Sequence, residues 1–139
     1  MATLEIYQVL DQAASKRHKA QKIEFLQTNE SWALKDVLRG TYDDVLRWNL
    51  PVGAPPYTAA PEHSHPSSLL RENKNFGYFA VGGPDMPSYK RERVFLGILE
   101  GVHPKDAEIV INMVNKKAID GISKPIVEEA FPGLIIGAD

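Results

Sequence analysis

Apolar side chains return every three to four positions through the first part of the chain: Ile6, Leu10 and Ala13, then Ile23 and Leu26, then Leu34, Val37 and Leu38, then Val45 and Leu46. That period places each set on one helix face, so the stretch predicts three or four short amphipathic helices. Ser15 stands where an N-cap would open a helix at Lys16, Thr28 or Asn29 would cap the next, and Gly40 would loosen its end. The last third is patterned in the same way. Val94, Phe95, Ile98, Leu99 and Val102 form one stripe, and after a break at His103-Pro104 a second follows with Ala107, Val110, Ile111 and Val114. Pro104 suits a first helical turn, and Asp106 and Glu108 lie toward the positive end of that helix's dipole. Ser123 is placed to cap a final helix with Pro125 in its first turn and Ile126, Val127, Ala130 and Phe131 facing inward, before "PGLI" stops it.

Between these parts the texture changes. Residues 49–66, "NLPVGAPPYTAAPEHSHP", hold five prolines and a glycine, which remove backbone donors and rule out a regular helix. "SSLLREN" suits a helical turn or two, "FGYFAV" is the one candidate strand, and "GGPDMPS" within 82–88 is a second loop. The expectation is an all-α fold: one compact domain over residues 1–139, with about six to eight short helices and a proline-rich central excursion.

Composition narrows this picture. At 139 residues and 43% apolar the chain can bury a core of its own. The absence of cysteine excludes disulfides, thiolate metal sites and cysteine nucleophiles, and cytosolic residence is the default expectation. The opening "MATLEIYQVLDQAASKRHK" lacks a secretory pattern, and no window approaches the roughly 20 apolar residues a bilayer requires. Sixteen Lys and Arg against eighteen Asp and Glu leave a formal charge of −2, so any nucleic-acid affinity must come from local patches. One such patch is "SKRHKAQK", with Lys16, Arg17, Lys19 and Lys22 before the first acid at Glu24.

Chemical motifs mostly dissolve on inspection. "KKAIDG" resembles the Lys-x-Asp-Gly signature of adenylated lysines, but Lys117 lies three residues before Asp120 rather than two. Glu62, His63 and His65 in "EHSHP" are too few for a convincing metal site, and His103 lacks the neighbours of a hydrolytic triad. No glycine-rich phosphate loop occurs. Neither an enzyme nor a bound cofactor is expected. Tyr42, Trp48, Tyr57, Phe76, Tyr78 and Phe79 suit a core better than a base-stacking surface.

The helix starts carry more. Amide groups exposed at a helix N-terminus, beside a lysine or arginine, make an anion site. The arrangement occurs twice in the pattern: Ser15 with Lys16, Arg17 and Lys19, and Gly121, Ile122 and Ser123 with Lys124, preceded by Lys116 and Lys117. Gly121 would let the backbone approach a ligand closely. A duplex phosphate backbone is the natural target.

The opening "EIYQVLDQAASKRHKAQKIEFLQTNESWALKDVLRGTYDDVLRWNLP" and the closing "DAEIVINMVNKKAIDGISKPIVEEAFPGLI" resemble, in order, the N-terminal all-helical DNA-binding domain of the ATP-dependent DNA ligases of T-even-type bacteriophages. The resemblance implies a grip on duplex DNA across the minor groove, nicked duplex and duplex ends included, through Ser15, Lys16, Arg17, Lys19, Lys116, Lys117, Gly121, Ser123 and Lys124. It implies no sealing chemistry, since the chain stops where a ligase continues into its catalytic domains. It points to a phage accessory protein of replication, repair or recombination, acting in the host cytoplasm. The alternative is a protein-interaction or virion-associated adaptor that keeps the fold without DNA binding and offers residues 49–66 to a phage or host protein.

Overall fold

The computed structural model describes residues 3–136. Seven α-helices and one 3₁₀ helix occur among them: α1 (Ile6–Ala14), α2 (Lys19–Thr28), α3 (Trp32–Tyr42), α4 (Leu69–Glu72), the 3₁₀ helix (Asn73–Phe79), α5 (Ser88–Gly101), α6 (Pro104–Val114) and α7 (Lys124–Ala130). No strand is present among the described residues, only isolated bridges at Trp48–Ala80 and Ile119–Ile122. The fold is all-α.

Most positions of the sequence stripes become the core, joined by Val9 and Met113, while Ile23, Val94, Ile111 and Val114 are only partly buried. Ile6, Val9, Leu10 and Ala13 of α1, Leu34, Val37 and Leu38 of α3, Phe95, Ile98 and Leu99 of α5, and Ala107, Val110 and Met113 of α6 are all buried in one cluster. Helix α3 packs on α6, α6 on α5, and α5 on the 3₁₀ helix, while α1 packs on α2 and α2 on α7. No helix is long and apolar enough to cross a membrane among the described residues.

Several local expectations are overturned, each for a visible reason. Ser15 ends α1 instead of opening a helix: its N–H donates to Asp11 O at 3.1 Å and its hydroxyl to Gln12 O at 2.7 Å. The next helix starts at Lys19 after His18. Neither Thr28 nor Asn29 caps α3; Ser31 does, its hydroxyl accepting from Leu34 N–H at 3.1 Å. Val45 and Leu46 fall outside any helix, because the buried Asp43 carboxylate takes the N–H of Val45 at 3.0 Å and turns the chain out of α3. "FGYFAV" runs mainly in the 3₁₀ helix, where Phe76 and Phe79, three apart, fall on the same side and are both buried.

Gly40 is no helix end. It lies inside α3, where a Cβ would stand 2.6 Å from Trp48 Cζ2 and 2.7 Å from Met113 Sδ. The missing side chain is what lets the Trp48 indole and α6 close over α3, and the Gly40 carbonyl, in the last helical turn, accepts from Trp48 Nε1 at 3.0 Å. The excursion is pinned too. Asn115 holds Gly53 by two hydrogen bonds, Oδ1 accepting from its N–H at 2.8 Å and Nδ2 donating to its carbonyl at 3.1 Å, and Thr58 N–H donates to Glu100 at 2.8 Å.

Two glycines test this packing in opposite directions. Gly40→Ala is expected to cost about 1–3 kcal/mol through overpacking. Gly97→Ala, in α5 where a Cβ meets nothing within 4 Å, is expected to add about 0.5–1 kcal/mol through helix propensity. Urea denaturation of both variants checks the pair, and equal effects would show that the closeness at Gly40 carries no energy.

Candidate nucleic-acid interface

The stretch between α6 and α7 decides what the second lysine cluster can do. Lys117 N–H donates to Asn112 O at 2.9 Å and Lys116 N–H to Met113 O at 3.0 Å, with Lys116 left-handed at φ 57°. This is a Schellman closure of α6 with lysine where glycine is usual. The Lys116 ammonium folds inward and donates to Asp43 O at 2.7 Å, and its partial burial pushes its pKa down. Lys116 is therefore a structural clasp on α3, not an open phosphate ligand.

Asp120 and Gly121 are the middle of a turn. Ile122 N–H donates back to Ile119 O at 3.1 Å, and Gly121 sits at φ 82°, a conformation that suits glycine. The Tyr42 hydroxyl, at the end of α3, accepts from Ile119 N–H at 2.8 Å and donates to Ile122 O, so one side chain holds both arms of the turn. Close approach at Gly121 is to the protein itself: a Cβ there would lie 2.8 Å from the Ala14 Cβ. Ser123 is the N-cap residue of α7, but its side chain makes no capping hydrogen bond and is exposed.

The same contacts bring the two basic segments together. Gly121 lies on Ala14, next to Ser15 and the 16–19 connector. Lys22 of α2 donates to Gly121 O at 2.6 Å, Lys19 pairs with Glu129 of α7 at 2.7 Å, and Gln27 Nε2 donates to Ala130 O at 3.0 Å. Lys22, Ser123 and Lys124 line one shallow depression, and Lys117, Asp120 and Asp11 line another on the other side of the turn. Arg17 and Lys117 are exposed and form no ion pair among the described residues, whereas Lys16 stands over the Phe25 ring, 4.8 Å from its centroid.

Lys19, Lys22 and Lys124 thus gather where α2 meets α7, with Asp120 and Glu129 among them, while Lys117 stands with Asp11 and Asp120, and Lys16 with Glu24, in separate depressions. Helix amides contribute less than the sequence suggested. The N–H groups of Ser15 and Lys16 are spent on closing α1, and Gln21 Oε1 accepts from His18 N–H at 3.3 Å at the start of α2. Lys22 is the addition the structure makes; it was visible in the basic run "SKRHKAQK" but sits six residues beyond the expected helix start at Lys16 and about one turn beyond the observed one at Lys19.

Elsewhere, Glu62 and His63 are exposed, and no group of three or more His, Asp or Glu able to hold a metal occurs among the described residues. His103 caps α6, its Nδ1 accepting from Lys105 N–H at 3.0 Å. A cleft floored by Trp48 and Phe76 has its polar rim satisfied internally, Asn73 on Asp36 at 2.8 Å and Arg39 on Asp43 at 3.5 Å.

The fold and these contacts define a small helical domain in which basic residues of two distant chain segments come together. The chain belongs to a family of unknown function, DUF6433, whose profile matches residues 9–120. That match takes in α1 from Val9 onward, α2 to α6, Lys16, Arg17, Lys19, Lys116 and Lys117, and ends before Gly121, Ser123 and Lys124. No curated protein matches the chain.

Because the Tyr42 hydroxyl bonds to both arms of the turn, Tyr42→Phe is expected to lower stability by about 1–3 kcal/mol, the loss of a donor and the stranding of two backbone groups. Thermal unfolding followed by circular dichroism measures it; an unchanged midpoint would mean the turn is held by its own hydrogen bonds.

Proposed function

We propose that the protein binds double-stranded DNA without sequence preference and without catalysis, as a phage-type accessory to replication, repair or recombination. The observation that supports this reading is convergence: Lys22 and Lys19 of one basic segment reach Gly121 and Glu129, beside Lys124 of the other, in a molecule whose formal charge is −2. The resemblance to the phage ligase domain gives the same direction. Contact runs through side-chain ammonium and guanidinium groups to backbone phosphates, with Arg17, Lys117 and Lys124 as principal ligands and Lys19 and Lys22 as reserves released from Glu129 and Gly121. Phosphate contacts position a protein on a duplex and carry no sequence information, in keeping with non-specific binding.

Titration of labelled intact and nicked duplexes at two salt concentrations tests the proposal. The Arg17/Lys117/Lys124 triple alanine variant should bind all sequences more weakly to a similar degree, with the slope of log affinity against log salt reduced by about 0.9 for each phosphate no longer neutralised. Lys116→Ala should leave that slope intact and lower stability instead. No binding at low salt, or full affinity in the triple variant, would refute the proposal.

A second reading rests on Val52, 97% exposed and directly beside Gly53, which Asn115 pins. It makes residues 49–66 a preformed docking element for a protein partner. Capture that survives nuclease treatment and is abolished in Val52→Asp would favour it.

A further inference from the structure

Among the described residues one buried side-chain atom has no hydrogen-bond partner: Oδ2 of Asp106. Asp106 has no exposed surface at all. Its other oxygen, Oδ1, accepts from the N–H of Tyr7 at 2.9 Å, so a carboxyl in the first turn of α6 caps the start of α1, 99 residues earlier in the chain. A buried carboxylate with one bare oxygen and no cationic partner is costly, and a buried neutral acid is far less so.

The surroundings sharpen that contrast. From α1 and its N-cap come Tyr7 and Glu5; from the segment before α4 come Glu62 and His65; from α4 comes Glu72; from α6 and its N-cap come Lys105 and His103. The Tyr7 ring stacks on His103 with centroids 4.2 Å apart, His65 packs edge-on against His103 at 5.6 Å, and Lys105 Nζ stands 5.7 Å from the Tyr7 ring. Glu5 accepts from the Ser68 hydroxyl at 2.7 Å and Glu72 from the Ser67 hydroxyl at 2.6 Å, while His65 Nδ1 lies 2.8 Å from Ser67 O. No lysine or arginine pairs with Asp106 among the described residues.

We propose that Asp106 is a proton-operated latch on the seam between α1 and α6: as a neutral acid it holds the start of α1 in place, and as a carboxylate it drives the seam open. Burial is the main influence on the group and pushes its pKa up to about 7; the Tyr7 N–H opposes this, Glu5 adds to it, and His65 opposes it. In an opened seam the carboxyl returns toward its ordinary value of 3.8. Between the two values the open form has released a proton that the closed form keeps. Closure is thus favoured in full below about pH 4, weakens as pH rises, and levels off above about pH 7.

The test follows the Tyr7 amide in the full chain by NMR from about pH 4 to pH 9. Its chemical shift should inflect near neutrality. Hydrogen exchange at the same amide, corrected for the intrinsic rate, should show the opening constant growing by up to about a thousandfold between pH 4 and 7 and flattening beyond. Asp106→Asn, a permanent mimic of the neutral acid, should match the wild type near pH 4 and stay protected at pH 8. An inflection near pH 4, or a wild-type opening constant independent of pH, overturns the latch, and the wild-type titration alone decides the matter where the variant does not fold.

Discussion

The attachment of the 115–123 connector to the end of α3 is the constraint on which the rest of this molecule depends. Tyr42 gives its hydroxyl to both arms of the turn, Lys116 closes α6 and reaches Asp43 O, and Asp43 in turn accepts from Val45 and Ile136 N–H groups. These bonds fix where α7 starts. Only with α7 so placed can α2 lie against it and Gly121 against Ala14, and only then do two basic segments, 99 residues apart where Lys22 meets Gly121, come together. A short helix such as α7, seven residues long, has little stability of its own and takes its position from such tertiary contacts.

The electrostatics of that junction follow from exposure more than from count. The Lys19–Glu129 pair has both side chains more than half exposed, a setting in which ion pairs are worth about 0–1 kcal/mol. Glu129 is therefore a weak competitor that a phosphate can displace. Lys116 is the opposite case: partly buried and engaged with a backbone carbonyl, it is bound to the fold more firmly than to anything outside it. Proximity in sequence made Lys116 and Lys117 look equivalent, yet one residue of helix-closing geometry sends them in different directions.

The helical stripes were legible because burial enforces a period that sequence displays directly, as in Ile6-Leu10-Ala13 or Phe95-Ile98-Leu99. The boundaries were not, because caps depend on which of several polar residues the chain turns at. Ser15, Thr28 and Asn29 were all chemically able to cap, and the structure uses His18, Ser31 and His103 at the helix starts α2, α3 and α6. Gly40 and Gly121 show a further limit. Both read as signals of local backbone freedom, but Gly40 answers to the volume of Trp48 and Met113, and Gly121 answers in addition to Ala14, and neither neighbour is deducible from spacing. The basic run was legible in the sequence; its meeting with the 117–124 segment was not, since it is made by long-range hydrogen bonds.

Helix α1 joins these themes, because its two ends are held by different physics. At its start a fully buried carboxyl from α6 adds a cap whose cost protonation sets. At its end Ala14 meets Gly121 by van der Waals contact, where only shape matters. Nine residues of α-helix span about 13 Å, so the seam and the contact at Gly121 are separated by a single helix with the buried stripe Ile6, Val9, Leu10 and Ala13 along it. A helix this short rarely persists alone in water, so loosening its start weakens its claim to helical geometry at its end. The charge state of one buried acid and the contact at Gly121 thus bear on the same nine residues, the first through the cap and the second through the packing of a glycine.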